Sequence, residues 1–389
     1  MSGSASTSNA SQPTPTFIFA GGGSGGHIYP GLAIAEELRR LGVSADRIGF
    51  VVSDRAIDSK ILTPTGYTFE RSPARPAIAR PMGLLKFFRG WLGAKRHARV
   101  AMTGQDWNKT DGLHVVAMGG FVAAPFVKQA KSMGVPITMV NLDAVPGKAN
   151  RYLARLADRV FTAARVPQEQ RVGVAWIEVP PIVRGAARAS RSREACRTQL
   201  GLDPTRPVLM ITGGSQGLRS LNDFVTTFAA SPSGKSILKS GKWHVLHQTG
   251  RNLDDAARAI YRDDGIDATV VSFNEQMGDW WGAADAAICT AGAGNIAEIW
   301  MNKVPSLLLP YPHHKDQHQK FNAAPLVDAG GALLGRDHID AATNLRENGG
   351  TLESLLSDEP RRAAMRVNLE KLGPADGATR IARALLDAL

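Results

Sequence analysis

The chain has 389 residues, of which 43% are hydrophobic and 21% are charged, and its formal net charge is +11. This length exceeds one ordinary hydrophobic core and predicts two domains. The positive charge predicts an anionic partner: nucleic acid, an anionic membrane surface or a phosphorylated substrate. The two cysteines, Cys196 and Cys289, form no C-x-x-C pair, which disfavours disulfides and structural zinc and fits a reducing compartment. No apolar run reaches the roughly 18 residues of a transmembrane helix.

Apolar strands alternate with helical stretches along most of the chain, which predicts an α/β fold of parallel sheets covered by helices. Before them, Met1–Pro15 lacks the basic and apolar regions of a secretory signal and is predicted to be a disordered tail. Within a first domain over 16–182, the predicted strands are Thr16–Ala20, Arg47–Val52, Leu113–Met118, Ile137–Asn141, Arg159–Thr162 and Ala175–Val179.

A basic, weakly patterned segment at Arg184–Arg197 then predicts an interdomain linker over 183–206. Within a second domain over 207–370, the predicted strands are Pro207–Thr212, Trp243–Leu246, Ala268–Ser272, Ala286–Cys289 and Ser306–Leu309. In the last segment, 371–389, Ala378–Leu389 has the pattern of a short amphipathic helix.

One local arrangement occurs three times: a buried strand, a glycine turn and the start of a helix. The turns are Gly21–His27, whose helix is predicted to open near Pro30, Gly213–Gly217, and Ala291–Gly294, whose helix carries Glu298. Glycines let the backbone approach a ligand, and the amides and dipole of a helix N-terminus attract an anion. No Lys-Ser/Thr follows the first turn, which disfavours an ATPase P-loop. The sequence therefore predicts two nucleotide-binding halves facing one cleft.

Each turn offers side chains with a chemical role and a simpler alternative. His27 suits a base or polar clamp facing the cleft, or it only caps backbone. Ser215 and Gln216, with the loop amides, suit a diphosphate held without metal, or they form an ordinary turn. Glu298 offers two acceptors to the two hydroxyls of a ribose, or it only balances the helix dipole.

A polar segment, Pro310–Gln319, follows the last predicted strand and suits hydrogen bonding to sugar hydroxyls, with a solvated loop as the alternative. His314 and His318 have i,i+4 spacing, but no glutamate or cysteine completes a metal site there. The chain contains no Asp-x-Asp that would hold a metal on a diphosphate. We therefore expect no metal and no cofactor.

The segment Arg71–Arg99 contains no acidic residue. Its apolar side chains are Leu84, Leu85, Phe87, Phe88, Trp91 and Leu92, interleaved with Lys86, Arg89, Lys95, Arg96 and Arg99. This pattern suits docking on an anionic bilayer surface, and a helix packed on the core with a basic solvent face is the alternative. No RNA-recognition motif accompanies it, so no nucleic-acid partner is expected.

Together these segments resemble the MurG-type N-acetylglucosaminyltransferase family, in the stretches GGGSGGHIYPGLAIAEEL, MGGFVAAP, ITGGSQGLRSLN, CTAGAGNIAEI and HKDQHQKFNA. The resemblance implies two Rossmann-like domains facing one cleft (a GT-B fold), with the C-terminal helix returning to the first domain. It implies inverting, metal-independent transfer of GlcNAc from UDP-GlcNAc to an undecaprenyl-diphospho-muramyl-pentapeptide. The enzyme would then be peripheral on the cytoplasmic face of the bacterial inner membrane.

The resemblance also implies roles for individual residues. The acceptor side would comprise Gly23, Ser24, Gly25, Gly26, His27, Gly119 and Gly120. The donor side would comprise Arg184, Gly214, Ser215, Gln216, Asn274, Gly294, Glu298, His318 and Gln319. The candidates for the catalytic base are His27 and then Asp143.

The chain departs from the family pattern in three places near the implied cleft. It has Asn141-Leu142-Asp143 where the family has Glu-Gln-Asn, Pro180-Pro181-Ile182-Val183-Arg184 where it has Gly-Asn-Pro-Val-Arg, and Ala291-Gly292-Ala293 where it has Ser-Gly-Ala. Two other functions are therefore considered: a UDP-sugar 2-epimerase of the same fold, and a catalytically decayed, membrane-associated protein that still binds a UDP-sugar.

Overall fold

The computed structural model describes residues 15–76, 80–104, 107, 112–239, 241–251 and 253–387. The predicted tail therefore lies outside the described residues, except for Pro15. In the described part of the chain, the first domain holds a parallel sheet of seven strands in the order β3-β2-β1-β4-β5-β6-β7. These are β1 (Thr16–Gly21), β2 (Ile48–Val52), β3 (Thr68–Arg71), β4 (Leu113–Gly119), β5 (Ile137–Asn141), β6 (Arg159–Thr162) and β7 (Trp176–Glu178).

Helices cover both faces of this sheet: α1 (Gly25–Arg40), α2 (Ala56–Leu62), α3 (Pro81–Thr103), α4 (Gly120–Ser132) and α5 (Lys148–Ala154). Successive side chains of a strand point to opposite faces, so a sheet buried on both sides needs continuous apolar strands. In β1, Phe17 and Phe19 pack with α1 on one face, while Ile18 and Ala20 pack with α4 on the other.

The second domain repeats this architecture, with six described parallel strands in the order β10-β9-β8-β11-β12-β13. These are β8 (Val208–Thr212), β9 (His244–Gln248), β10 (Ala268–Val271), β11 (Ala286–Cys289), β12 (Ser306–Leu308) and β13 (Ala332–Leu334). The helices are α6 (Arg193–Gln199), α7 (Arg219–Ala230), α8 (Pro232–Leu238), α9 (Asp254–Asp263), α10 (Met277–Ala283), α11 (Ala293–Asn302), α12 (His318–Asp328), α13 (Ala341–Ser357) and α14 (Glu359–Glu370). The predicted fold class, two parallel α/β domains, is confirmed.

The C-terminal helix, α15 (Gly377–Leu386), returns to the first domain as expected. Ala378, Ile381 and Leu385 are buried in the same core cluster as Phe17 and Leu32. The C-terminal helix therefore packs on the first domain, although it follows the second domain in the chain.

Three predictions need correction. The first helix begins at Gly25, five residues before Pro30, because the backbone leaves the extended conformation directly after Ser24. The predicted linker is not irregular throughout, since it contains α6, which Ser192 caps and whose Cys196 is buried against Trp280. The strands β3 and β13 were not predicted at all.

Candidate functional site

The cleft between the domains holds a cavity of about 880 Å³. In each sheet, the first strand lies between strands whose connections run in opposite directions, β1 between β2 and β4 and β8 between β9 and β11. The loops at such a reversal diverge and leave a crevice at the carboxyl ends of the strands, where α/β proteins bind ligands. The first two predicted glycine turns follow β1 and β8, and the third follows β11, the neighbour of β8, so the topology brings all three to the carboxyl ends of the central strands.

The cavity brings together every predicted donor-side residue: Arg184, Gly214, Ser215, Gln216, Asn274, Gly294, Glu298, His318 and Gln319. From the first domain it adds Ser24, Gly25, Gly26, His27 and Asp143. The two domains approach closely at the glycine turns, since a Cβ built on Gly25 would lie 3.5 Å from the Ser215 hydroxyl oxygen.

Three predicted acceptor residues, Gly23, Gly119 and Gly120, do not line this cavity. The Gly23 amide instead donates to the Asp58 carboxylate at 2.7 Å, and its carbonyl accepts from the Arg55 guanidinium at 2.7 Å. Gly23 therefore shapes the first turn, and sequence reasoning missed the two side chains that hold it. Asp58 is fully buried and also accepts from the amide and hydroxyl of Ser53.

Gly119 and Gly120 instead make room for His27. A Cβ on Gly119 would lie 3.4 Å from the ring Nδ1, and one on Gly120 would lie 3.3 Å from Nε2, with both residues at positive φ. The His27 Nδ1 lies 3.1 Å from the Met118 carbonyl oxygen. A carbonyl only accepts, so Nδ1 carries the proton and Nε2 keeps its lone pair. Burial lowers the pKa of His27, partly opposed by the nearby Asp143 and Asp58 carboxylates, so the ring is neutral at pH 7 and can act as a base.

Asp143, the second candidate base, lies in the loop after β5 and is held from the other domain. Its Oδ1 accepts from the Asn322 amide nitrogen at 2.9 Å, and the Asn322 oxygen accepts from the Ala144 amide at 2.8 Å. Sequence reasoning did not select Asn322. The available signal was its place one helical turn after Gln319 in the HKDQHQKFNA stretch.

Glu298 is held by a tryptophan that the sequence did not single out. The Trp281 indole nitrogen donates to Glu298 Oε2 at 2.6 Å. Burial raises the pKa of Glu298 to about 7, while the Trp281 hydrogen bond and the Arg184 charge favour its ionised form. Arg184 in turn lies over the Tyr29 ring of the first domain, with 4.1 Å from its guanidinium carbon to the ring centroid. The Glu298 carboxyl group, which lines the cavity, is thus only partly ionised near pH 7.

Asn274 carries a hydrogen-bond donor whose partner is missing. Its backbone amide donates to Gln248 Oε1 at 2.9 Å, and Gln248 Nε2 donates in turn to the Gly214 carbonyl at 3.1 Å. Within the described residues, the buried Asn274 Nδ2 has no hydrogen-bond partner. A buried donor without a partner is costly, so a ligand carbonyl fits this position.

His318 and Gln319 open α12 at the cavity. Gln319 Oε1 accepts from the Tyr311 amide at 2.8 Å, which fixes the orientation of the side-chain amide. His318 Nδ1 lies 2.8 Å from Asp316 Oδ1, and the His314 ring centroid lies 4.3 Å from that of His318. The segment presents one side-chain amide, that of Gln319, and two imidazoles, those of His314 and His318, to the cavity.

The predicted membrane patch lies on α3, which exposes only part of it. Leu85, Phe88 and Leu92 are 53%, 61% and 60% exposed, whereas Trp91 packs on the core and contacts Tyr152 of α5. Phe87 is partly buried beside Trp91, and the side chain of Leu84 lies outside the described set. The exposed apolar face is therefore narrower than predicted. In the described parts of the chain, no helix is long and apolar enough to cross a bilayer.

Two parallel α/β domains that share one cleft are the arrangement of the GT-B fold. Residues 17–162 match the glycosyltransferase family 28 N-terminal domain, and residues 208–381 match the glycosyltransferase family 28 C-terminal domain. The chain is 33% identical, over 95% of its length and 97% of the relative's, to a protein of Nocardioides sp.. That relative is named UDP-N-acetylglucosamine–N-acetylmuramyl-(pentapeptide) pyrophosphoryl-undecaprenol N-acetylglucosamine transferase.

The chain belongs to this MurG family of N-acetylglucosaminyltransferases. A protein of the same name from Myxococcus xanthus is 30% identical over 96% of the chain and 92% of its own length. The crystal structure of Acinetobacter baumannii MurG has the same fold, with a TM-score of 0.69 and 22% identity over 96% of this chain and all of that one. A MnaA–UDP structure of S. aureus also shares the fold, with a TM-score of 0.60 and 11% identity over 94% of each chain.

Proposed function

We propose that this protein transfers GlcNAc from UDP-GlcNAc to a muramyl-pentapeptide acceptor linked through a diphosphate to undecaprenol, a step in peptidoglycan synthesis. The observation that carries the proposal is the convergence, on one interdomain cavity, of the donor-side residues and a neutral His27 whose Nδ1 is committed to Met118. The family match supports this transferase and not the 2-epimerase or the decayed protein.

The donor occupies the second-domain side of the cavity. Glu298 accepts hydrogen bonds from the ribose hydroxyls, and Asn274 Nδ2 donates to a uracil carbonyl. Ser215, Gln216 and the start of α7 hold the diphosphate, with the Arg184 charge beside it. His318 and Gln319 contact the sugar hydroxyls.

The acceptor lies against the first glycine turn, with its hydroxyl toward His27. That hydroxyl oxygen attacks C1 of the sugar from the face opposite UDP, so the new C1–O bond forms as the C1–O bond to phosphate breaks and the configuration inverts. His27 Nε2 takes the hydroxyl proton. Negative charge develops on the departing diphosphate, and Arg184 with the helix N-terminus stabilises it.

The protein binds peripherally to the cytoplasmic face of the inner membrane through α3. Leu85, Phe88 and Leu92 are exposed apolar side chains beside exposed basic ones, Lys86 and Arg89. Such a surface inserts shallowly among acyl chains while its basic residues meet anionic headgroups. This places the first domain, which takes the lipid-linked acceptor, next to the bilayer.

An acceptor assay tests the activity. Radiolabelled UDP-GlcNAc is incubated with the full chain and vesicles that contain the undecaprenyl-linked acceptor, and lipid and nucleotide fractions are separated. We expect label in the lipid fraction. Label in a new nucleotide sugar without any acceptor would instead indicate the epimerase, and UDP binding without either product would indicate a protein that has lost catalysis.

A further inference from the structure

Asn322 joins the two domains across the cavity. It is 4% exposed and lies on α12, yet both ends of its amide reach the loop after β5 in the first domain. The nitrogen donates to Asp143 Oδ1 at 2.9 Å, and the oxygen accepts from the Ala144 amide at 2.8 Å. These reciprocal bonds link positions 178 and 179 residues apart. We call this pair of bonds the clasp.

The helix that carries the clasp also carries the sugar-facing residues. His318 and Gln319 precede Asn322 by four and three positions, so the three side chains share one face of α12. The Asn322 nitrogen also lies 3.4 Å from the carbonyl of Ala291, in the third glycine turn. A displacement of α12 by the donor sugar therefore moves Asn322 directly.

The loop on the other side of the clasp is coupled to His27. The Asn141 amide nitrogen donates to the Asp143 carbonyl at 2.8 Å, and Asn150 donates to Asn141 at 3.0 Å. A Cβ on Gly119, which flanks the His27 ring, would lie 2.7 Å from Asn150 Oδ1. On the first-domain side, the clasp is therefore connected through Asp143 and Asn141 to Asn150, which lies beside the glycine that flanks the candidate base.

We propose that Asn322 is a positioning residue, which closes the second domain onto the first when the donor sugar is bound and thereby fixes the Asp143 carboxylate beside His27. The catalytic effect of Asn322 rests on the proposed function, whereas the closure of the domains requires only that the donor binds. The two bonds from Asn322 to Asp143 and Ala144 exist only while the domains are together, whereas the contact with Ala291 lies within the second domain, so the clasp favours the closed form.

The first test compares Asn322→Ala with Asn348→Ala. Asn348 is also 4% exposed, but its side-chain nitrogen donates to Arg336 and Asn344, which lie within the second domain. We measure the radius of gyration by small-angle X-ray scattering with and without UDP-GlcNAc, the affinity for UDP by calorimetry, and the kcat for transfer. We expect the wild type and Asn348→Ala to contract with UDP-GlcNAc and Asn322→Ala to stay open.

For Asn322→Ala, kcat should fall by about a hundredfold, the cost of misplacing a reacting group by roughly 1 Å, with the affinity for UDP nearly unchanged. A loss of UDP affinity as large as the loss of kcat would make Asn322 a donor ligand and overturn the proposal. Normal contraction in Asn322→Ala would overturn it too.

A swap of the two side chains separates the clasp from the carboxylate. Asn322→Asp alone faces Asp143 with a like charge and should keep the domains open. Adding Asp143→Asn restores a donor opposite an acceptor, so contraction should return while turnover stays low, because position 143 then carries an uncharged amide. Failure of contraction to return, or full recovery of turnover, would contradict the proposal. If the wild type contracts but transfers no sugar, the proposed function fails, and the scattering result still decides the clasp.

Discussion

Trp281→Phe removes one hydrogen bond from Glu298 and keeps an aromatic ring in the same core. A hydrogen bond to a charged group contributes about 1.5–3 kcal/mol, which corresponds to about 1–2 pKa units. Because the indole stabilises the carboxylate form, its loss should raise the pKa of Glu298 from about 7 to about 8–9. At pH 7.5 the ionised fraction would then fall from about three quarters to about one tenth.

This change should appear in the pH dependence of donor affinity. A carboxylate whose pKa is raised is ionised above that pKa and protonated below it, so the ribose contact is present at high pH and is lost as the pH falls. The diphosphate of UDP-GlcNAc does not titrate between pH 6 and 9, and Tyr29 and Cys289, which also interact with Glu298, have pKa values raised above that range. Calorimetry should give a wild-type midpoint near pH 7 and a midpoint about 1–2 units higher for Trp281→Phe, with affinity at pH 7.5 lower by about eightfold.

Trp280→Phe is the matched control. Trp280 is 4% exposed and lies in the same core cluster as Trp281, so this substitution removes a similar buried volume and leaves the hydrogen bond from Trp281 to Glu298 intact. Its midpoint should stay near that of the wild type. If the two variants share one midpoint, the indole does not set the ionisation of Glu298, and the reasoning about the donor site fails.

Three further predictions concern the base, the membrane and the second glycine turn. His27→Gln should lower kcat by about 10²–10⁴-fold with UDP affinity nearly intact. The acid limb of the wild-type kcat/KM profile should lie below pH 6.5, because burial lowers the pKa of His27. Equal losses of kcat and affinity would indicate a binding role. Phe88→Glu should weaken sedimentation with anionic vesicles by at least about tenfold, whereas Ile177→Glu, 45% exposed on β7, should not; equal effects would place the membrane contact elsewhere. Gly217→Ala should cost about 1–3 kcal/mol of UDP affinity, since φ is 71° and the new Cβ would lie 2.1 Å from the Thr249 oxygen. In the same calorimetric titration, Gly350→Ala should bind UDP normally, because a Cβ built there has no atom within 4 Å.

The sequence predicted the central strands and two of the four edge strands, β7 and β10, but not the edge strands β3 and β13. A central parallel strand is covered on both faces and must be apolar throughout, as in Val208–Thr212. The edge strand β3 reads Thr-Phe-Glu-Arg and is partly exposed, so it gives no apolar run, and β13 has only three residues, too few to stand out in the sequence. The helix α6 was missed because charged residues surround its buried Cys196.

The candidate site divides in a similar way. Residues within one glycine turn, such as Ser215 or His27, were predictable because a strand, a turn and a helix are adjacent in sequence. The side chains that orient them were not, because Trp281 reaches Glu298 across 17 residues and Asn322 reaches Asp143 across 179. No local pattern marks such a pair; only the packing of α10 against α11 and of one domain against the other creates it.

The departures from the family pattern also divide into residues that hold the loops in place and a residue that acts on the candidate base. Asn141 is fully buried and bonded to Thr162 and Asn150, so it is part of the support for the loop after β5. Pro181 accepts from the Gly377 amide at 3.2 Å and anchors the start of α15. Asp143 differs, because an amide oxygen at this position would also accept from Asn322, and the fold therefore does not require its negative charge. That charge instead opposes the effect of burial on the pKa of His27, so among these departures Asp143 is the one whose charge acts on the candidate base.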